Sequence, residues 1–160
     1  MQKLTSLTPS TQGSSARGSS GSESGMDGKR LVLHGKPVRV LVVEDNGIIA
    51  LDFSMKLEGF GAQVVGCAAT AVDAIQLALK LLPDVVLMDI ALRGKETGID
   101  AVQAIRVQSQ MPIIFVTGNG DPQTLGKVRD IGDYEVLLKP VDPAALRDAI
   151  LEAVRGRQRH

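Results

Sequence analysis

The chain has 160 residues, 44% of them hydrophobic, which is enough for one domain with its own core and too few for two domains of ordinary size. Its 18 basic and 18 acidic side chains cancel, so the chain lacks the cationic excess that favours binding to nucleic acid or anionic lipid. The single cysteine cannot form an internal disulfide, and no apolar run approaches the roughly 20 residues that span a bilayer, so we expect a cytoplasmic protein without a membrane segment.

The amino-terminal segment differs in composition from the rest of the chain. Ser or Gly occupies 13 of the first 30 positions, and such a segment buries too little apolar surface to offset the entropy lost on ordering. We therefore predict a disordered tail over residues 1–36, a folded domain over residues 37–155 and a short basic tail over residues 156–160. A signal or transit peptide is not favoured, because the segment has no apolar core and only scattered basic residues.

Short apolar runs rich in branched residues recur along the folded part and are predicted to be strands. They cover residues 38–43, 62–68, 84–88, 113–117 and 135–138. Several of these runs are apolar at consecutive positions, as is typical of strands that are covered on both faces.

Segments with helical spacing of apolar residues alternate with these strands. The first covers about residues 47–58, the second begins after Thr70 as N-cap, and the third covers about residues 99–108. The last two begin at Asp121-Pro122 and Asp142-Pro143, where an acidic N-cap precedes a proline at the first helical position.

The strict alternation of five strands with five helices predicts a parallel sheet in a three-layer α/β sandwich. Ligands of such open sheets bind outside the carboxyl ends of the strands, so the residues that end or follow each strand are the candidates for chemistry. Those positions are occupied by Glu44, Asp45, Asp89, Thr117 and Lys139.

The three acids among these residues predict a magnesium site. Carboxylate oxygens are ligands that Mg²⁺ prefers, whereas two carboxylates about 4 Å apart repel by roughly 4 kcal/mol at an effective dielectric of about 20. Lys139 supplies one compensating charge and a divalent cation would supply the rest, so we expect low stability without metal. Taken singly, each residue also has a structural interpretation: Asp45 as a helix cap, Asp89 as the start of a turn, Thr117 as a strand-end hydroxyl and Lys139 as a solvated charge.

Four blocks of sequence resemble the receiver domain of two-component response regulators. They are Val-Leu-Val-Val-Glu-Asp-Asn, Val-Val-Leu-Met-Asp-Ile, Ile-Ile-Phe-Val-Thr-Gly and Leu-Leu-Lys-Pro, and the resemblance covers about residues 38–154. It implies a flavodoxin-like fold with strand order 2-1-3-4-5. Because little follows the last helix, we expect a stand-alone receiver of the single-domain type.

The resemblance also implies the roles of the acidic residues. Asp89 would be the phosphoacceptor, which attacks a phosphohistidine on a histidine kinase or a histidine phosphotransfer protein. Asp45 and Asp89 would bind Mg²⁺ directly together with the backbone carbonyl of Ala91, and Glu44 would act mostly through ordered water.

Further roles follow from the same resemblance. Lys139 would hold one phosphoryl oxygen, and the Thr117 hydroxyl would bind another after phosphorylation, which would pull the following loop inward. Pro140 would be preceded by a cis peptide bond. The protein would be a signalling switch that catalyses only its own phosphorylation and dephosphorylation, not a metabolic enzyme.

Output is expected to pass through a downstream protein partner. A homodimer through the face formed by the fourth helix, fifth strand and fifth helix is a further expectation from the family. The basic residues at the carboxyl terminus suit a helix end and a solvated tail, so no nucleic-acid partner is predicted.

The sequence departs from the family pattern near the site. Arg93 replaces a common proline, and Gly98 comes one residue late. Val136 occupies the position of an aromatic residue that usually rotates with the threonine, and Tyr134 precedes it on the same strand face. We therefore hypothesise that Tyr134 or a side chain of the fourth helix takes over the signalling role.

Two other classes of protein remain open at this point. A small flavodoxin-like or nucleotide-binding enzyme would need a phosphate-cradling glycine loop after the first strand, and that turn is instead the acidic Glu44-Asp45-Asn46-Gly47. A receiver-like module that works by binding alone, without phosphorylation, is disfavoured because it has no need for the electrostatic cost of the acidic cluster.

Overall fold

The computed structural model describes residues 30–158; most of the predicted disordered tail, residues 1–29, and the last two residues lie outside this range. The described part contains the following elements in chain order: β1 (Val32–Leu33), β2 (Lys36–Pro37), β3 (Arg39–Val43), α1 (Gly47–Gly59), β4 (Gln63–Ala68), α2 (Ala71–Leu81), β5 (Val85–Asp89), α3 (Gly98–Arg106), β6 (Ile113–Thr117), α4 (Pro122–Ile131), β7 (Glu135–Leu138) and α5 (Pro143–Gln158).

Strands β3 to β7 form one parallel sheet in the order β4-β3-β5-β6-β7. These are the strands predicted from the apolar runs, and each lies within one residue of its predicted bounds. Counted from β3 as the first, the order is 2-1-3-4-5, so the predicted flavodoxin-like topology is confirmed.

Helices cover both faces of the sheet, as predicted for a three-layer sandwich. Alternate residues of β5 show this division, because Val85 and Leu87 pack in one core cluster and Val86 and Met88 pack in another. The first cluster includes residues from α1 and α5, and the second includes residues from α2, α3 and α4. Strands buried on both faces therefore read as continuous apolar runs in the sequence.

The helix starts agree with the capping residues predicted from the sequence. The side chains of Thr70, Asp121 and Asp142 each accept a hydrogen bond from a backbone N–H in the first turn that follows. The cap of α1 is Asn46, whose Oδ1 accepts from the N–H groups of two residues in the first turn. The structural interpretation of Asp45 as the cap of this helix is therefore wrong, and its carboxylate is left for another role.

The ordered domain begins earlier than predicted, because residues 31–36 do not belong to a disordered tail. Strands β1 and β2 form an antiparallel hairpin around His34 and Gly35, which have φ angles of 54° and 78°. Leu31 just before the hairpin is fully buried, and its N–H donates to the carbonyl of Phe60 at 2.8 Å. One buried leucine and a two-residue turn thus order a segment that composition assigned to the tail.

The last helix also runs further than predicted. Helix α5 ends at Gln158, so the first three residues of the predicted basic tail over 156–160 are helical. A single glycine, Gly156, weakens a helix by only about 1 kcal/mol relative to alanine, which is too little to end it. Within the described residues, no helix combines the length and apolar character needed to cross a bilayer.

Candidate acidic site at the carboxyl edge of the sheet

Three acids that end or follow two neighbouring strands meet at the carboxyl edge of the sheet. Glu44 and Asp45 follow β3 and Asp89 ends β5, and since these strands are neighbours their ends lie side by side. One carboxylate oxygen from each residue lies within 4.8 Å of the others. Glu44 and Asp89 are buried, with 5% and 4% of their surface exposed, and Asp45 is half-buried. The predicted convergence of these side chains is confirmed.

Lys139 places an ammonium group between two of the acids. It follows β7, and its Nζ donates to Oε1 of Glu44 at 2.5 Å and to Oδ2 of Asp89 at 2.9 Å. Burial acts to lower the pKa of Lys139, but the hydrogen bonds to the two carboxylates outweigh it and raise that pKa above the usual value of 10.5. The ammonium is therefore charged at neutral pH.

The net negative charge of the pocket favours the binding of a divalent cation. Counted as ionised, the three carboxylates and the one ammonium leave a formal charge of −2. Lys139 pairs with Glu44 and Asp89, whereas no ion pair to the Asp45 carboxylate occurs among residues 30–158. An all-oxygen donor set of this charge fits Mg²⁺.

Backbone N–H groups orient the two buried carboxylates. The N–H of Asn46 donates to Oε2 of Glu44 at 3.1 Å, and the N–H of Ala91 donates to Oδ1 of Asp89 at 3.2 Å. Both oxygens of Asp89 thus have a donor, one from Ala91 and one from Lys139. These two hydrogen bonds orient the Asp89 carboxylate in the absence of a ligand.

Thr117 lies at the same edge but outside the acidic cluster. It is buried at the end of β6, and its Oγ1 accepts from the N–H of Asn119 at 3.1 Å. Its carbonyl accepts from the N–H of Lys139 at 2.9 Å, so the two residues are neighbours. Thr117, Ala91 and Asn119 line a cavity of about 530 Å³ between α3 and α4. The predicted cis peptide bond between Lys139 and Pro140 is confirmed.

Tyr134 and Val136, the residue at the position of the usual aromatic, both pack against the core cluster that includes residues of α2, α3 and α4. The ring of Tyr134 stands edge-on to the Phe115 ring with centroids 5.4 Å apart, and the Arg106 guanidinium lies 5.3 Å from its centroid. Leu138 pairs with Thr117 across the sheet, which places Tyr134 four residues away, roughly 13 Å along the strand direction. These contacts favour a structural role for Tyr134.

Arg93 contacts the site in a way that sequence reasoning missed. The sequence indicates only that Arg93 replaces a proline common in the family, and it does not indicate which residue the arginine contacts. In the structure, an Nη atom of Arg93 donates to the backbone carbonyl of Asp45 at 3.1 Å. The two residues are 48 positions apart, so only the tertiary structure brings them together.

Fold and site together define a flavodoxin-like α/β domain with an acidic, lysine-bridged pocket at the carboxyl edge of its sheet. The family model of the response regulator receiver domain matches residues 40–151. The chain belongs to this family, which is the one that its four sequence blocks resemble. Its described domain is therefore the receiver domain of a signalling response regulator.

Characterised relatives support this assignment. The transcriptional regulatory protein PdtaR of Mycobacterium tuberculosis is 34% identical over 118 residues, which cover 74% of this chain and 57% of PdtaR. The phyllosphere-induced regulator PhyR of Methylorubrum extorquens is 30% identical over 116 residues, covering 72% of this chain and 43% of PhyR. The chain spans about half the length of the curated relatives it matches.

Solved structures show the same fold. The receiver domain of a modulated diguanylate cyclase from Desulfovibrio desulfuricans G20 aligns with a TM-score of 0.72 and 29% identity, covering 77% of this chain and 98% of that one. The response regulator PhyR from Brucella abortus aligns with a TM-score of 0.71 and 31% identity, covering 87% of this chain and 54% of that one.

Proposed function

We propose that this domain is a phosphorylation switch in which Asp89 accepts a phosphoryl group from a phosphohistidine in a magnesium-dependent reaction. The observation that carries the proposal is the placement of Asp89. Its carboxylate is buried beside two other acids and bonded to the ammonium of Lys139. Two acidic neighbours destabilise a carboxylate that has only a structural role, whereas beside a metal-dependent phosphoacceptor they can serve as ligands for the cation.

The residues of the pocket have defined tasks in this reaction. An Asp89 carboxylate oxygen forms a bond to phosphorus while the bond between phosphorus and the histidine nitrogen breaks, so the product is an acyl phosphate and the donor leaves as imidazole. Asp45, Asp89 and the carbonyl of Ala91 would hold Mg²⁺, with Glu44 acting through water. Bound Mg²⁺ would neutralise charge on the phosphoryl oxygens. Lys139 is placed to bind one of those oxygens, because its Nζ already lies 2.9 Å from Asp89.

Thr117 is proposed to respond to the new phosphoryl group. A hydroxyl has one O–H to donate, and since Thr117 Oγ1 accepts from the N–H of Asn119, its hydrogen can turn towards a phosphoryl oxygen. Phosphorylation adds about −1.5 to −2 units of charge and new acceptor oxygens at Asp89. The Thr117 hydroxyl would be attracted towards these oxygens. The loop that carries Asn119 would follow and change the surface of α4.

The domain is proposed to have two kinds of protein partner, a phosphodonor and a target of the output. The phosphodonor would be a histidine kinase or a histidine phosphotransfer protein, and output would pass to a downstream protein, with homodimerisation through α4, β7 and α5 as one route. The absence of a nucleic-acid partner and the cytoplasmic location stay predictions from the sequence.

Mass spectrometry tests the proposal directly. The protein is incubated with Mg²⁺ and acetyl phosphate, and we expect the wild type to gain one phosphoryl group. Asp89→Asn should gain none, and Asp133→Asn, which changes an exposed acid near the opposite end of β7, should behave as wild type. A phosphoryl group that persists in Asp89→Asn would remove Asp89 from its role. A folded wild type that binds Mg²⁺ and gains no phosphoryl group would favour the binding-only module.

A further inference from the structure

Arg93 joins three loops at the carboxyl edge of the sheet. It lies in the exposed loop between β5 and α3, and its guanidinium donates to the backbone carbonyl of Asp45 at 3.1 Å. Its own N–H donates to the carbonyl of Ala69 at 3.3 Å, and it forms an isolated parallel bridge with Thr70. The backbone of Arg93 is thus attached to the loop before α2, while its side chain reaches the loop before α1.

This side chain connects the two loops that carry the proposed metal ligands. Asp45 belongs to the loop after β3, and Ala91 belongs to the loop after β5, two residues before Arg93. No other hydrogen bond between described residues joins residues 45–46 to residues 90–97. The peptide that Arg93 holds is that of Asp45 itself, the one acid of the cluster that Lys139 does not pair with.

We propose that Arg93 is a positioning residue for Mg²⁺ binding, which holds the Asp45 peptide and the Ala91 loop in register. The inference rests on the proposed function, since it concerns the metal that phosphoryl transfer requires. Hydrogen bonds that orient a metal-ligating residue commonly contribute to metal affinity although they do not touch the metal.

The charge and the hydrogen bond of Arg93 act on metal affinity in opposite directions. A fixed positive charge beside the pocket repels a cation, so its removal alone would tighten Mg²⁺ binding. Loss of the hydrogen bond frees the Asp45 peptide, which weakens binding by requiring that peptide to be ordered when the metal binds. The sign of the change in Kd therefore distinguishes a positioning role from a purely electrostatic one.

The test is isothermal titration of Mg²⁺ into the full chain without phosphodonor, for wild type, Arg93→Met and Lys95→Met. Arg93→Met keeps an unbranched side chain and loses both charge and donor, and we expect its Kd for Mg²⁺ to rise about threefold to tenfold, as for one lost hydrogen bond. Lys95→Met removes a positive charge from the same exposed loop and leaves the bond to Asp45 in place. Its Kd should be unchanged or lower.

Phosphorylation by acetyl phosphate supplies a second readout. We expect Arg93→Met to need more Mg²⁺ for half-maximal rate and to reach the wild-type rate, within about twofold, when Mg²⁺ saturates. A lower maximal rate with an unchanged requirement for Mg²⁺ would overturn the proposal, as would an unchanged or tighter Kd in Arg93→Met. A wild type that binds no Mg²⁺ would instead refute the proposed function, so the two failures are distinguishable.

Discussion

The backbone carbonyl oxygen of Asp89 lies so close to Gly98 that a Cβ atom on that glycine would stand 2.0 Å from it. The same Cβ would lie 2.9 Å from Cγ of Met88. The N–H of Gly98 donates to the carbonyl of Ile90 at 2.8 Å, so the first residue of α3 packs directly on the peptide of the proposed phosphoacceptor. The absence of a side chain at this position therefore allows the start of α3 to lie directly against the Asp89 peptide.

We expect Gly98→Ala to destabilise the domain and to impair the site. The new methyl group meets backbone that cannot give way easily, and overpacking of this kind costs about 1–3 kcal/mol. Because the displaced atoms belong to Asp89, the phosphorylation rate with acetyl phosphate should fall as well. Urea denaturation in EDTA measures the first effect, and mass spectrometry over time measures the second.

Gly126→Ala is the matched control. Gly126 lies inside α4, and a Cβ atom added to it would have no packing neighbour within 4 Å among the described residues. Alanine there should therefore stabilise the helix by about 0.5–1 kcal/mol. Gly98→Ala with wild-type stability would contradict the importance of the close contact.

Asp45→Asn should raise stability without metal and reduce the gain in stability that Mg²⁺ binding provides. Two like charges about 5 Å apart repel by roughly 3 kcal/mol at an effective dielectric of about 20, and Asp45 is half-buried, so a gain of about 1 kcal/mol is expected in EDTA. Wild type should gain about 1.4 kcal/mol when Mg²⁺ is about tenfold above its Kd, and the variant should gain much less.

Thermal melts in EDTA and in Mg²⁺ check this prediction. Asp133→Asn serves as the control, because it removes an exposed acid away from the pocket and should keep the wild-type response to Mg²⁺. An Asp45→Asn variant with an undiminished response to Mg²⁺ would exclude Asp45 as a metal ligand.

Lys139→Met should destabilise the metal-free domain strongly. Glu44 and Asp89 would be left buried without their ammonium partner, and breaking a buried ion pair in this way costs about 2–4 kcal/mol when the lysine is itself partly exposed. Mg²⁺ should restore part of the loss, since it replaces some of the missing positive charge. Asp89 of the variant should also be phosphorylated more slowly by acetyl phosphate at saturating Mg²⁺.

Chemical denaturation of Lys139→Met beside Lys80→Met tests whether the pocket is responsible. Lys80 is an exposed lysine in the last turn of α2, so its substitution should change the free energy of unfolding by less than about 0.5 kcal/mol. Equal losses in the two variants would show that the ion pairs of Lys139 add little.

Tyr134→Ala should reduce stability and leave phosphorylation unchanged. The variant loses the edge-on contact with Phe115 and the Arg106 cation, which together predict a loss of about 2 kcal/mol. Tyr134→Phe keeps the ring and should remain close to wild type. Hydrogen exchange in α4 before and after phosphorylation tests the switch hypothesis, and a response lost only in Tyr134→Ala would restore Tyr134 as the signalling residue.

Several features of the fold could be predicted from local sequence because local physics decides them. Apolar runs mark strands that are covered on both faces, and Thr70 and Asp121 mark helix starts because their side chains bond to N–H groups three residues later. The hairpin around His34 was missed because it depends on Leu31, whose burial comes from distant parts of the core.

The sequence by itself determined the parallel sheet, the edge where the polar residues gather and the candidate acids, because parallel crossover connections bring all carboxyl ends of the strands together. The strand order followed only from the resemblance to the receiver family. Only the tertiary structure decided that Lys139 pairs with Glu44 and Asp89 rather than with Asp45, and that Arg93 reaches the Asp45 carbonyl. These contacts join residues 48 to 95 positions apart. Their geometry depends on how loops pack in space, which no local pattern of residues specifies.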